Sequence, residues 1–110
     1  MILSLEFKRA IAAAAVTRLS AGRRNLTASA EWVAESIGDA LYPSQKGETK
    51  IQMILDYRKK ILGVSNRKEV ETRLTVARYH YDQCLDWISK NKLKPEESAR
   101  LLIKTMIQKR

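Results

Sequence analysis

The stretch NRKEVETRLTVARYHYDQCLDWISK, residues 66–90, carries the longest helical pattern in the chain. Asn66 and Glu69, three residues apart, are typical of a helix start, because each side chain can cap backbone N–H groups of the first turn. We therefore predict a helix over about 66–90 that lies centrally in the fold. Apolar side chains recur along it every three or four residues, at Val70, Leu74, Ala77, Tyr81, Cys84 or Leu85, and Ile88.

Helical patterns also occupy the rest of the 110-residue chain. We expect Thr27 to cap the second helix and Pro95 to stand in the first turn of the last one. The first segment has apolar residues on two opposite faces, which indicates a helix sandwiched inside a bundle or shared with another subunit. Short loops favour antiparallel neighbours, so the sequence predicts one all-α domain, a bundle of about five helices. The four remaining helices are expected at about 4–21, 27–41, 48–62 and 95–108.

Composition limits the class of protein. The longest apolar run, residues 10–16, is much shorter than the ~20 residues that span a membrane. Cys84 is the one cysteine, so no disulfide can form within the chain, which favours a reducing compartment. We expect a cytoplasmic protein with no membrane association, no cofactor and no small-molecule substrate.

The net charge of +9 is unevenly distributed along the chain. Residues 46–68 hold seven cationic side chains against two acidic ones, whereas residues 25–45 hold three acidic side chains and no cation. Cations also exceed acids in residues 1–24 and 91–110. Clustered positive charge in a folded protein favours a polyanionic partner, and nucleic acid is the first candidate.

The candidate nucleic-acid-binding residues come from these basic segments. Mobile cations bind phosphates, and an exposed tyrosine ring can stack on an unpaired base. We expect Tyr57 and Tyr79 to lie on polar helix faces, where such stacking could occur. The predicted binding residues are Arg23, Arg24, Lys46, Lys50, Tyr57, Arg58, Lys59, Lys60, Arg67 and Lys68.

Arg58 differs from the other cations because it falls within the apolar stripe of its helix. A guanidinium there must extend to the surface or find a partner. We expect it to form an ion pair with an acidic residue of another helix; the alternative is that it lines a groove for a phosphate or for a partner's carboxylate.

One pair of residues suggests an enzyme as an alternative. Arg73 is followed by six residues and then His80. This spacing resembles the signature of the HEPN ribonucleases, which are all-helical domains of about this size. The resemblance implies that Arg73 and His80, paired across a dimer, would attack RNA without a metal ion.

His80 and Cys84 stand four residues apart, a spacing that can bind a metal ion. A structural zinc site needs four ligands, and the chain has no other histidine or cysteine. We therefore predict no metal site.

These observations favour a small, basic, helical protein that binds RNA or DNA through backbone contacts with weak sequence specificity. It would act alone, as a homo-oligomer or as a subunit of a larger nucleoprotein complex. Two alternatives stay open. One is a protein-interaction module, an inhibitor or assembly factor that docks on an acidic partner, and the other is the HEPN-like ribonuclease.

Overall fold

The described part of the chain is built from α-helices. The computed structural model describes residues 5–22, 24–38, 40–42, 45–64 and 72–107, and only the backbone at 72, 73, 106 and 107. The expected all-α bundle is confirmed: these residues form five helices and no strand. The helices are α1 (Leu5–Ser20), α2 (Leu26–Ile37), α3 (Gly47–Leu62), α4 (Thr72–Asn91) and α5 (Pro95–Ile107).

The middle of helix α1 is buried on all sides. Every residue from 10 to 16 is at most 1% exposed, and five of these seven are alanines. Small side chains let neighbouring backbones approach closely, so α1 can contact each of the other four helices. The expectation of a sandwiched first helix is therefore met within a single chain.

Helix α4 packs against both α1 and α3. Its buried face consists of Ala77, Tyr81, Cys84 and Ile88, which follow the periodicity read from the sequence. The capping residues expected at Asn66 and Glu69 lie outside the described residues.

Helix α2 starts and ends earlier than predicted. The side chain of Asn25 accepts a 2.7 Å hydrogen bond from the backbone N–H of Ala28, so the N-cap is Asn25 and the expectation of Thr27 was wrong. The helix ends at Ile37 rather than near residue 41, because Gly38 adopts a φ of +60°, which favours glycine.

The segment after α2 still contributes to the core. Leu41 and Tyr42 are buried although they follow the end of the helix. Burial outside a helix explains the error in the predicted boundary, since the apolar spacing of α2 continues into residues that pack without being helical.

Helices α3 and α5 begin near their predicted positions. Helix α5 starts at Pro95, with Glu96 and Glu97 in its first turn, where acidic side chains interact favourably with the helix dipole. Helix α3 ends at Leu62, before Gly63. Arg78 of α4 donates a hydrogen bond to the carbonyl oxygen of Ile61, which brings the end of α3 against the first half of α4.

Candidate nucleic-acid interface

Four cationic residues belong to the region where the end of α3 meets α4. Lys59 and Lys60 are exposed in the last turn of α3, a position at which cations interact favourably with the helix dipole. Arg58 precedes them, and Arg78 reaches over from α4. We call this the α3–α4 basic surface and define it by Arg58, Lys59, Lys60 and Arg78.

Arg58 is half-buried and bonded to a hydroxyl group. Its Nε donates to Thr17 Oγ1 at 3.0 Å, and the same oxygen lies 2.7 Å from the hydroxyl of Tyr81. Among the described residues no carboxylate lies within ion-pair distance of Arg58, so the expected ion pair with an acid on another helix is not found in that part of the chain. Thr17 fixes the guanidinium in place without neutralising its charge.

Arg78 is held by three neighbours. Its Nε lies 3.0 Å and 3.2 Å from the two carboxylate oxygens of Asp82, and one Nη lies 3.3 Å from the carbonyl oxygen of Ile61. Its guanidinium also lies 5.7 Å from the ring centroid of Tyr81. Asp82 offsets the charge of Arg78, and Asp56 stands one helical turn before Lys60 on α3, so cations still outnumber acids at this surface.

Sequence reasoning did not select Arg78. The pair of Arg78 with Asp82 at i, i+4 is typical of an ordinary surface ion pair on a helix. Only the tertiary contact with Ile61 places Arg78 beside the cations of α3. No pattern within a single helix carries that information.

The other predicted cations lie elsewhere in the molecule. Lys46 stands at the N-cap position of α3 without a capping hydrogen bond from its side chain, about 20 Å along the helix axis from Lys60. Lys50 donates a 2.8 Å hydrogen bond to the carbonyl oxygen of Gly38 at the end of α2. Arg24 pairs with Glu96 of α5 at 2.9 Å. The structure therefore brings together Arg58, Lys59 and Lys60 but separates them from Lys46, Lys50 and Arg24.

Three predicted residues, Arg23, Arg67 and Lys68, lie outside the described residues. Their role in binding stays a prediction. In the sequence, Arg67 and Lys68 stand between Leu62, the last residue of α3, and Thr72, the first described residue of α4.

Tyr57 does not occupy the exposed position expected for base stacking. It is half-buried against the core, and the guanidinium of Arg9 lies 5.1 Å from its ring centroid. The same guanidinium lies 5.6 Å from the ring centroid of Tyr42, so Arg9 contacts both tyrosines. Burial raises the pKa of Tyr42, and the nearby charge of Arg9 offsets part of this increase.

Tyr79 matches the expectation of an exposed ring. It is 61% exposed, more than the other large apolar side chains of the described residues. Its ring meets that of His80 edge to face, with centroids 5.7 Å apart. Tyr79 also directly follows Arg78 of the basic surface.

The residues of the ribonuclease resemblance are described in part. His80 is half-buried, and its ring lies 4.6 Å from that of Phe7, at the contact between α1 and α4. The side chain of Arg73 lies outside the described residues. Catalysis by Arg73 and His80 stays a prediction.

Cys84, the second residue of the pair considered for metal binding, is buried. Burial raises the pKa of its thiol to about 11. The part of the chain that the structure describes contains no group of three or more His, Cys, Asp or Glu side chains placed to hold a metal ion.

An apolar groove of about 410 Å³ lies between α1, α4 and α5. Trp87 is 37% exposed and Leu101 is 42% exposed at this groove. Its lining includes Phe7, Ile11, Cys84, Trp87, Leu101 and Lys104. We call it the α1–α5 groove.

Comparison with known proteins gives no relative for this chain: no protein-family model, curated protein or solved structure matches it. Within the described residues, none of the helices combines the length and the apolar character needed to cross a membrane.

Proposed function

We propose that the protein binds the phosphate backbone of RNA or DNA through the α3–α4 basic surface. The observation that carries the proposal is the hydrogen bond from Arg78 to the carbonyl oxygen of Ile61, which brings a cation of α4 to the end of α3 that carries Arg58, Lys59 and Lys60. Phosphate contacts by lysine and arginine supply most of the affinity in binding that does not depend on sequence.

The geometry favours backbone contacts over base reading. Lys59 and Lys60 are exposed and can follow a phosphate chain, whereas Arg58 and Arg78 are fixed by hydrogen bonds within the protein. A fixed guanidinium can offer its remaining N–H groups to phosphate oxygens in a defined direction. Sequence-specific reading needs side chains aimed at base edges in a groove, and this surface supports only weak specificity.

The proposal is tested by the salt dependence of binding to labelled oligonucleotides, measured by fluorescence anisotropy. Four phosphate contacts predict that affinity falls about 50-fold for single strands, and about 150-fold for duplexes, between about 50 and 200 mM salt. Absence of binding to RNA and DNA at the lower concentration would contradict the proposal. Binding that does not change with salt would contradict it as well.

A second candidate function, docking of a partner protein, is favoured by the α1–α5 groove. The groove is apolar and has two half-exposed large side chains, Trp87 and Leu101, which is typical of a site for an amphipathic helix. Lys104 is the charged residue among those that line it in the described chain. Because Lys104 and the net charge of +9 would repel a second copy of this protein, they favour an acidic partner helix.

Crosslinking followed by peptide binding tests this second candidate. The expected partner segment is an acidic amphipathic helix, and its synthetic peptide should bind the intact protein but not the Leu101→Asp variant. The Lys59→Ala/Lys60→Ala variant should bind the peptide normally. Equal binding of the peptide to Leu101→Asp would exclude the groove as the docking site.

A further inference from the structure

Three aromatic rings form a row across α1 and α4. The ring of His80 lies 4.6 Å from that of Phe7 and 5.7 Å from that of Tyr79. Phe7 is packed against the core, His80 is half-buried, and Tyr79 is 61% exposed. The row thus supports the ring of Tyr79 from one side and leaves much of it accessible to solvent.

The position of Tyr79 relates this ring to the α3–α4 basic surface. Tyr79 directly follows Arg78, and successive helical residues are separated by a rise of only about 1.5 Å and a rotation of about 100°. The two side chains therefore leave α4 on adjoining sides of the helix, and a strand whose phosphate contacts Arg78 has to turn its base around the surface of α4 to meet Tyr79. Tyr57, the other tyrosine considered for stacking, is half-buried beside Arg9.

We infer that the ring of Tyr79 stacks on an unpaired base, so that the protein binds single-stranded RNA or DNA in preference to duplex. The bases of a duplex are already stacked on each other, whereas those of a single strand offer their faces to an aromatic ring. This inference rests on the proposed function, because the backbone contacts hold the strand beside Tyr79.

Substitution of Tyr79 provides the test. Tyr79→Ala should weaken binding of single-stranded RNA and DNA about 5- to 150-fold, the effect of losing one stacked base. Tyr79→Phe keeps the ring and should bind within about 2-fold of the unchanged protein. Duplex binding should be the same for all three proteins, which also shows that the variants are folded. Comparing RNA with DNA strands of one sequence shows whether the 2′-hydroxyl contributes.

A base analogue gives a second, direct measurement. The fluorescence of 2-aminopurine in a single strand changes when the base stacks, and this change should occur with Tyr79→Phe but not with Tyr79→Ala. If Tyr79→Ala binds single strands as tightly as the unchanged protein while binding stays salt-dependent, the inference is wrong and the proposed function stands. If the unchanged protein binds neither polymer, the proposed function itself is wrong.

Discussion

Thr17 shows how one residue can join three helices. Its hydroxyl oxygen on α1 accepts a hydrogen bond from Arg58 of α3 and lies 2.7 Å from the hydroxyl of Tyr81 on α4, which is only 2% exposed. The sequence gives Thr17 no special pattern, because its partners are 41 and 64 residues away along the chain. Periodicity therefore placed Arg58 in the apolar stripe correctly but could not identify its partner.

Replacing Thr17 by valine tests the importance of this junction. Thr17→Val keeps the shape of the side chain but leaves two polar groups without their partner, so we expect the free energy of unfolding to fall by about 2 kcal/mol. Urea unfolding followed by circular dichroism measures the change. Thr105→Val is the matched control, since Thr105 is exposed and bonds only within its own helix, to the carbonyl of Leu101, and it should cost under about 0.5 kcal/mol. Equal effects of the two variants would contradict the assigned role.

Cys84 should react slowly in the folded protein. Its pKa of about 11 lies above the ordinary value of 9.0, so the folded protein has about 100-fold less thiolate at about pH 8 than the unfolded chain. Alkylation by iodoacetamide should thus be at least about 100-fold slower under native conditions than in denaturant. Because the chain has one cysteine, mass spectrometry after timed quenching reports this residue alone. Similar rates in the two conditions would show that the thiol is accessible.

The raised pKa of the Cys84 thiol also makes the free energy of unfolding depend on pH. The thiol is neutral in both states below about pH 9, so its contribution to stability is fully present there. Between about pH 9 and 11 the unfolded chain loses the proton while the folded protein keeps it, and stability falls as pH rises. The raised pKa of Tyr42 acts in the same direction at higher pH.

At the scale of the element, helix periodicity located all five helices, but local chemistry determined their ends. For α2 we expected the cap at Thr27 and did not consider Asn25, two positions earlier. The structure selects Asn25, whose side chain bonds the N–H of Ala28. Burial of Leu41 and Tyr42 beyond the helix end could not be distinguished from continued helix by periodicity alone.

A pair of alanine variants decides between the two caps. Asn25→Ala should lower the free energy of unfolding by about 1 kcal/mol, the usual cost of losing an N-cap. Thr27→Ala should change it by less than about 0.5 kcal/mol, because Thr27 is exposed and lies inside the first turn. Thermal and urea unfolding of both variants provide the comparison. A larger loss for Thr27→Ala would restore the cap expected from the sequence.

At the scale of the whole molecule, the cationic side chains behind the +9 charge have different roles, and some of them make contacts within the fold. Arg9 packs between two tyrosine rings, and Arg18 donates a hydrogen bond to the carbonyl oxygen of Leu93. These cations connect α1 to other parts of the fold. The sequence could show where the excess charge lies along the chain, but only the packing of α4 on α3 shows that Arg78 reaches the end of α3.

Within the described residues, the predicted basic segments do not form one continuous binding surface. The start of α3 lies about 20 Å from its end, and Arg24 is engaged with Glu96 on α5. Our proposal is therefore specific to one place: the α3–α4 basic surface carries the phosphate contacts, and the other described cations contribute little to binding.

Comparing two double variants of equal charge tests this claim most directly. Lys59→Ala/Lys60→Ala removes two cations from the basic surface, and Lys94→Ala/Lys104→Ala removes two exposed cations from the α5 side of the molecule. The measurement is the slope of log affinity against log salt concentration for a labelled single strand. We predict a slope shallower by about 1.4 for the first variant and an unchanged slope for the second. An unchanged slope for Lys59→Ala/Lys60→Ala, or an equal decrease in both variants, would contradict the account.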